Sequence, residues 1–286
     1  MALSVNRREF LLGLGATAVL AACGSSASKQ SASSTTTPRG WSALTPSSDL
    51  YQSDQPQRFA FIVTSNGRFR GGPAAEIGFG EPGASRTGQI VAAPYHGDGL
   101  EPGRGVYVVD GTFPVAGRWG AGIRLDNGQQ FAMPFEVKAT PTAPIIGGDA
   151  PRAASPVPGT PLGVDPICTR NPACSLHSQS TAAVIGSGTP SVVMFATPAR
   201  CQTAYCGPVL DLLLDVAPEY QGRVNFVHSE IYLDTQSEKL SPTVEAWGLV
   251  TEPWLFAIDG SGKIVKRLDG AFDRTEIRDA VAGLVV

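Results

Sequence analysis

The stretch Ser191-Val-Val-Met-Phe-Ala-Thr-Pro-Ala-Arg-Cys-Gln-Thr-Ala-Tyr-Cys-Gly-Pro-Val-Leu-Asp211 is an apolar run ending at Ala196, a short loop with Cys201 and Cys206, then a helical pattern from Gly207-Pro208. Two thiols at a strand-to-helix turn mark a place for redox or metal chemistry. A cysteine at a helix N-terminus has its thiolate favoured by the helix dipole and by N–H groups without helical partners. Cys206 is therefore the first residue to explain. Leu210, Leu213, Leu214 and Ala217 then recur at helical spacing. Val224 to Ile231 predicts a second strand, Pro242 to Trp247 a short helix, and Trp254 to Ile258 a third strand. Asp259-Gly-Ser-Gly-Lys263 predicts a hairpin turn into a fourth strand, Ile264 to Leu268. Asp273 with Glu276 three residues on predicts the start of a last helix, with Ile277, Ala280, Val281 and Leu284 as its apolar face. The order is β-α-β-α-β-β-α. Crossovers imply parallel pairing of the early strands, and the final hairpin is antiparallel.

This region, roughly Ser191 to Leu284, resembles the thioredoxin fold. Cys206-Gly207-Pro208-Val209 is similar to that family's Cys-Gly-Pro-Cys except in its last position. Thr251-Glu252-Pro253-Trp254 stands where the family places a cis-proline before a strand. The resemblance implies that Cys206 attacks a substrate disulfide, that Cys201 resolves the mixed disulfide, and that Pro208, Glu252 and Pro253 shape the substrate groove. Val209 removes the usual resolving cysteine, so the pair is Cys-x4-Cys. Arg200 beside Cys201 favours the opposite assignment of roles, and both remain open. The leading expectation is thiol–disulfide exchange with exported proteins that carry thiols or disulfides. The alternative is a non-enzymatic binding or scaffold protein with a structural 201–206 bond.

Cys168-Thr-Arg-Asn-Pro-Ala-Cys174 is a second close pair, read as a structural disulfide closing a small loop. His177 follows by three residues and His228 lies on the second predicted strand. Exported copper-delivery proteins of the thioredoxin fold use two loop cysteines and a distant histidine, which makes copper handling a third reading. Their cysteine spacing is one residue shorter than that of Cys201 and Cys206. His228 reads more simply as a core residue, so no metal and no cofactor is assigned. Glu230 and Glu252 are acids near the predicted thiol site and read as surface charges.

The chain begins with Asn6-Arg7-Arg8-Glu9-Phe10-Leu11-Leu12 and an apolar run ending Leu20-Ala-Ala-Cys23. A charged start, a short apolar core and small residues are the pattern of an export signal. The Arg pair resembles a twin-arginine signal, and Leu-Ala-Ala-Cys resembles the bacterial lipobox, which implies lipidation of Cys23. Acyl chains on Cys23 would hold the protein at the extracytoplasmic side of the cell membrane without a spanning helix. The Ser/Thr-rich residues that follow predict a flexible tether.

The 286 residues carry a net charge of −3 and no dense basic patch, which argues against nucleic-acid partners. The 33 glycines and 23 prolines suit strands, turns and linkers rather than a helical bundle. From Arg58 to Val137 short alternating segments and Asn-Gly turns predict an antiparallel sandwich. There Phe113-Pro-Val-Ala-Gly-Arg-Trp119 resembles a turn of small immunoglobulin-like domains, with Trp119 in the core and His96 at the surface. The expected organisation is a signal peptide at 1–22, a tether at 23–50 and an all-β immunoglobulin-like sandwich at 51–138. A proline-rich linker at 139–165 then leads to an α/β thioredoxin-like domain at 166–286.

Overall fold

The structure, a computed structural model, describes residues 40–84, 87–200 and 205–285. The expected signal peptide, Cys23 and residues 23–39 of the expected tether lie outside the described residues, as does Cys201, whereas residues 40–50 of that tether are described, with Trp41–Leu44 a strand and Leu50 buried. The protein is built mostly of β-sheets with few helices, and no described helix is long and apolar enough to cross a membrane.

Nine strands form the N-terminal part: β1 (Trp41–Leu44), β2 (Ser53–Ser65), β3 (Arg68–Phe69), β4 (Ala75–Gly80), β5 (Ile90–Ala93), β6 (Tyr95–His96), β7 (Val106–Phe113), β8 (Gly117–Leu125) and β9 (Gln130–Val137). One sheet has the order β1-β2-β7-β6, with β3 also paired to β2, and the other the order β5-β4-β8-β9. All pairs are antiparallel. Successive side chains on a strand point to opposite faces, and β2 shows what that does here. Phe59, Phe61 and Val63 enter a core between the sheets, while Ile62 joins a different cluster behind it. The inner core is aromatic. Phe59 lies 4.8 Å from Phe135 and 4.9 Å from Phe79, both edge-on. Trp119 is buried against Phe113 and donates its indole N–H to the Val115 carbonyl at 2.9 Å.

The C-terminal part is a four-stranded sheet of β10 (Ser191–Phe195), β11 (Asn225–Ser229), β12 (Trp254–Ile258) and β13 (Ile264–Asp269), in the order β11-β10-β12-β13. The β10–β11 pair is parallel, and β12 is antiparallel to both β10 and β13. All five residues of β10 and of β12 are buried. Such continuous apolar strands form because both faces are covered. One face holds α2 (Cys206–Val216) and α4 (Arg274–Ala282). The other packs Val193, Phe195, Val227 and Phe256 against α1 (Thr181–Val184), α3 (Pro242–Ala246) and Trp247. The order of elements and the senses of pairing are those expected from the sequence. Asp273 caps α4, its side chain accepting from the Glu276 N–H at 2.9 Å.

Both parts belong to one compact unit. The outer face of the β2–β7 sheet lies on α2 and α4, where Ile62 and Val106 share a cluster with Tyr205, Leu212 and Ile277. Polar groups fix this junction. Arg58 makes a two-pronged pair with Glu276 (2.7 and 2.9 Å) and donates to the carbonyls of Ala271 and Asp269. The buried Asp49 carboxylate accepts from Lys138, from the Thr142 and Ala143 N–H groups and from Arg267. The proline-rich stretch after Lys138 is a series of turns that meets the C-terminal sheet at its β12–β13 hairpin and at β13. It exchanges backbone bonds with β13: Gly147 N–H to the Ile264 carbonyl, and Ile264 N–H to the Gly148 carbonyl.

His96 sits at the same junction, its Nδ1 3.7 Å from Asp273 Oδ1. The hydrogen bond to Asp273 and the nearby Glu276 raise its pKa against burial and the Arg58 charge. A raised folded pKa makes the stabilisation complete below the unfolded value of about 6.5 and removes it as pH climbs through the folded value. The urea midpoint is therefore expected to fall between pH 6 and pH 8.5, and His96→Gln to lose most of that fall. Equal slopes for the two proteins would refute the assignment.

Candidate functional site

Cys206 is the first residue of α2, reached from β10 through a 3-10 turn at Pro198–Arg200. Its side chain is fully buried. Tyr205, just before it, is also buried, with its hydroxyl donated to the Arg104 carbonyl at 2.8 Å and its ring edge-on to Phe69. The sandwich thus covers the start of this helix. Glu252 and Pro253, joined by a cis peptide bond, precede β12 and are both buried. Glu252 Oε2 accepts from the Thr197 N–H at 3.0 Å, which ties it to the end of β10. Arg200 stacks over the Tyr232 ring at 4.7 Å, and burial together with the Glu252 carboxylate raises the Tyr232 pKa against the Arg200 charge. Pro208 is half-buried on the first turn of α2.

An attacking thiol needs substrate access, and Cys206 is fully buried. Burial suits a resolving thiol, which meets only a sulfur of its own chain. Glu252 is buried rather than a surface charge, and so is Glu230.

The second cysteine pair departs further from expectation. Cys168 and Cys174 are free thiols, not the expected disulfide. Both sulfurs face an imidazole: His228 Nδ1 lies 3.4 Å from Cys174 Sγ and 4.0 Å from Cys168 Sγ. His177 Nε2 lies 3.1 Å from the same nitrogen, and the two rings are tilted at 58°. One donor atom from each of the four residues falls within 4.8 Å of all the others. Cys168, His177 and His228 are buried, while Cys174 is partly exposed.

The local chain explains why these groups meet. On β11, Val227 faces the α3 side and His228 the opposite face, in register with Met194. The His228 backbone N–H donates to the Leu176 carbonyl at 2.9 Å, which brings the Cys174–His177 segment onto the free edge of β11. The Cys168 end is held by Glu230, which accepts from the Thr169 N–H at 2.6 Å and from its hydroxyl at 3.1 Å. Burial raises the Glu230 pKa against the neighbouring imidazole and these donors. The hydrogen bond from Cys174 draws the Cys168 pKa well down, helped by His177, His228 and the Cys174 N–H, while Cys174 is pushed up by the same contact. His228 is raised despite full burial, chiefly through Cys168 and Glu230. Nothing within a single strand marks His228 as facing a loop 50 to 60 residues earlier. Cys168, Cys174 and His177 within ten residues were the available signal.

A second group, His96, Asp273 and Glu276, also lies close together, at the sandwich–α4 junction. Its carboxylates already serve the Asp98 and Glu276 N–H groups and Arg58. It holds the junction together.

No family model matches the chain, and no curated protein matches it. Among solved structures it is similar to a protein described as the thiol:disulfide interchange protein DsbE from Chlorobium tepidum. There the identity is 14%, over 50% of this chain and 100% of that one, with a TM-score of 0.37. It is also similar to a superoxide reductase (neelaredoxin) from Ignicoccus hospitalis, at 17% identity over 34% and 77% of the two chains, with a TM-score of 0.23. A lipoprotein from Bacteroides thetaiotaomicron follows at 13% identity over 35% and 81%, with a TM-score of 0.22. Likeness at this level carries no argument about what this chain does.

Proposed function

We propose that the protein is a thioredoxin-like thiol–disulfide oxidoreductase, held by lipid on Cys23 at the extracytoplasmic face of the cell membrane and acting on exported proteins. The observation that supports it is Cys206 at the start of α2, the helix that follows β10, in a chain where a buried cis Glu252-Pro253 bond precedes β12. In this reading Cys201, beside Arg200, is the attacking thiol and Cys206 the resolving one. The Cys201 thiolate displaces one sulfur of a substrate disulfide, forming a mixed disulfide and releasing a substrate thiolate. Cys206, losing its proton, attacks the Cys201 sulfur, releases the second substrate thiol and leaves a 201–206 bond. Two electrons pass to the substrate, and the reverse sequence oxidises it.

Cys206→Ser is expected to accumulate a mixed disulfide with added glutathione disulfide at Cys201, and Cys201→Ser to accumulate none there. A reduction potential of the 201–206 pair above about −230 mV supports turnover. A value below about −300 mV marks a structural bond, and the binding or scaffold reading then takes its place.

A further inference from the structure

We infer that Cys168, Cys174, His177 and His228 form a four-coordinate site for a thiophilic divalent ion of the zinc class. The site is distinct from the Cys201–Cys206 thiols. The distances among the donor atoms carry the argument. Zinc bonds of about 2.3 Å to sulfur and 2.0–2.1 Å to nitrogen, arranged tetrahedrally, separate two nitrogens by about 3.3 Å and a nitrogen from a sulfur by about 3.5 Å. The two imidazole nitrogens stand 3.1 Å apart, and Cys174 Sγ stands 3.4 Å from His228 Nδ1. Cys168 Sγ, at 4.0 Å, needs a shift of only about half an ångström to reach the same polyhedron.

The orientation of the donors agrees. His228 Nε2 lies 2.9 Å from the Ala196 carbonyl, an acceptor, so that nitrogen carries the proton and Nδ1 presents its lone pair to the cluster. His177 Nε2 faces that lone pair, and His177 Nδ1, although buried, has no hydrogen-bond partner among the described residues. Two nitrogens in this relation share either one proton or one cation. The Cys174 N–H points at Cys168 Sγ at 3.3 Å, a contact that supports a sulfur carrying negative charge. The supporting shell is complete as well, with Ala196 behind His228 and Glu230 behind the Cys168–Thr169 turn.

The donor set selects the ion. Two thiolates neutralise a divalent charge, and two imidazoles with two thiolates in a tetrahedron suit zinc. All four positions are filled by the chain, three of them buried, as in structural rather than catalytic zinc sites. The consequence is mechanical. The ion would pin the 168–177 segment to β11, and Thr169, through its hydroxyl, accepts from the Ala199 N–H in the turn that leads to the thiol loop.

The test uses the reduced mature protein and cobalt(II) as a spectroscopic stand-in. One equivalent is expected to give visible tetrahedral bands and a near-ultraviolet thiolate-to-cobalt band, both removed by one equivalent of zinc. Cys201→Ser should keep the spectrum. Cys174→Ser, altering the most exposed ligand, should lose the charge-transfer intensity and weaken zinc affinity beyond the roughly 10–100-fold cost of losing a supporting residue. Should Cys174→Ser fail to fold, the same loss is sought in the wild-type protein after alkylation of Cys174. Folded, reduced wild-type protein that binds neither cobalt nor zinc stoichiometrically would overturn the inference. So would a spectrum that follows Cys201 instead of Cys174, or binding confined to copper(I).

Discussion

Arg58→Met is expected to lower the unfolding free energy by about 3–5 kcal/mol, the cost of removing one partner of a buried ion pair. The substitution keeps much of the stem volume and deletes the guanidinium. That leaves the Glu276 carboxylate, only 8% exposed, beside Asp273 without its cation, and it strips the Ala271 carbonyl of a donor, while the Asp269 carbonyl keeps only the Ala271 N–H. The effect is larger than for a surface pair because water cannot take the guanidinium's place. Urea unfolding of the variant checks the magnitude. Arg58→Met/Glu276→Gln should recover part of the loss, since the stranded charge is then gone. A loss below about 1 kcal/mol, or no recovery in the double variant, would show that water reaches this pair.

The neighbouring residue tests the other face of the same strand. Phe59→Ala is expected to cost about 3–5 kcal/mol through cavity formation. Its ring is fully buried and contacts Phe79, Phe113 and Phe135, so three rings lose a partner at once. In thermal unfolding this corresponds to a fall on the order of 10 °C for a chain of this size. Phe59→Leu, which retains most of the volume, should recover more than half of it. A small loss for Phe59→Ala would mean that the inner sheets collapse around the gap.

The C-terminal elements were readable because local chemistry and burial agree there. β12 is apolar at every position and β10 at all but Ser191, Asp273 and Glu276 form a local cap, and the Asp259–Lys263 turn satisfies itself through the Asp259 carboxylate. The sandwich was legible through alternation, as Phe59, Phe61 and Val63 illustrate. The ligands of the Cys168–His228 cluster were legible only in part. A pair of close cysteines supports a disulfide as readily as a metal, and the deciding fact is His228, whose orientation depends on strand register. Arg58 gave no signal either, because its partners lie 211 to 218 residues away. Spacing rules see neighbours along the chain, while these contacts arise when one layer settles on another.

Exposed sheet edges invite further strands from other molecules, and natural proteins blunt them. Each rim of the C-terminal sheet is met at one point by irregular chain. The proline-rich segment satisfies Ile264 on β13, and Leu176 satisfies the N–H of His228 on β11. The covering residues there, Gly147 and Gly148, sit at a turn and bond only Ile264 of β13, so they close that point of the edge without continuing as a strand. The 168–177 turn plays the same part on the opposite rim. Loosening that turn would uncover an adhesive border as well as four ligands, so loss of the cluster should be seen as self-association before it is seen as unfolding.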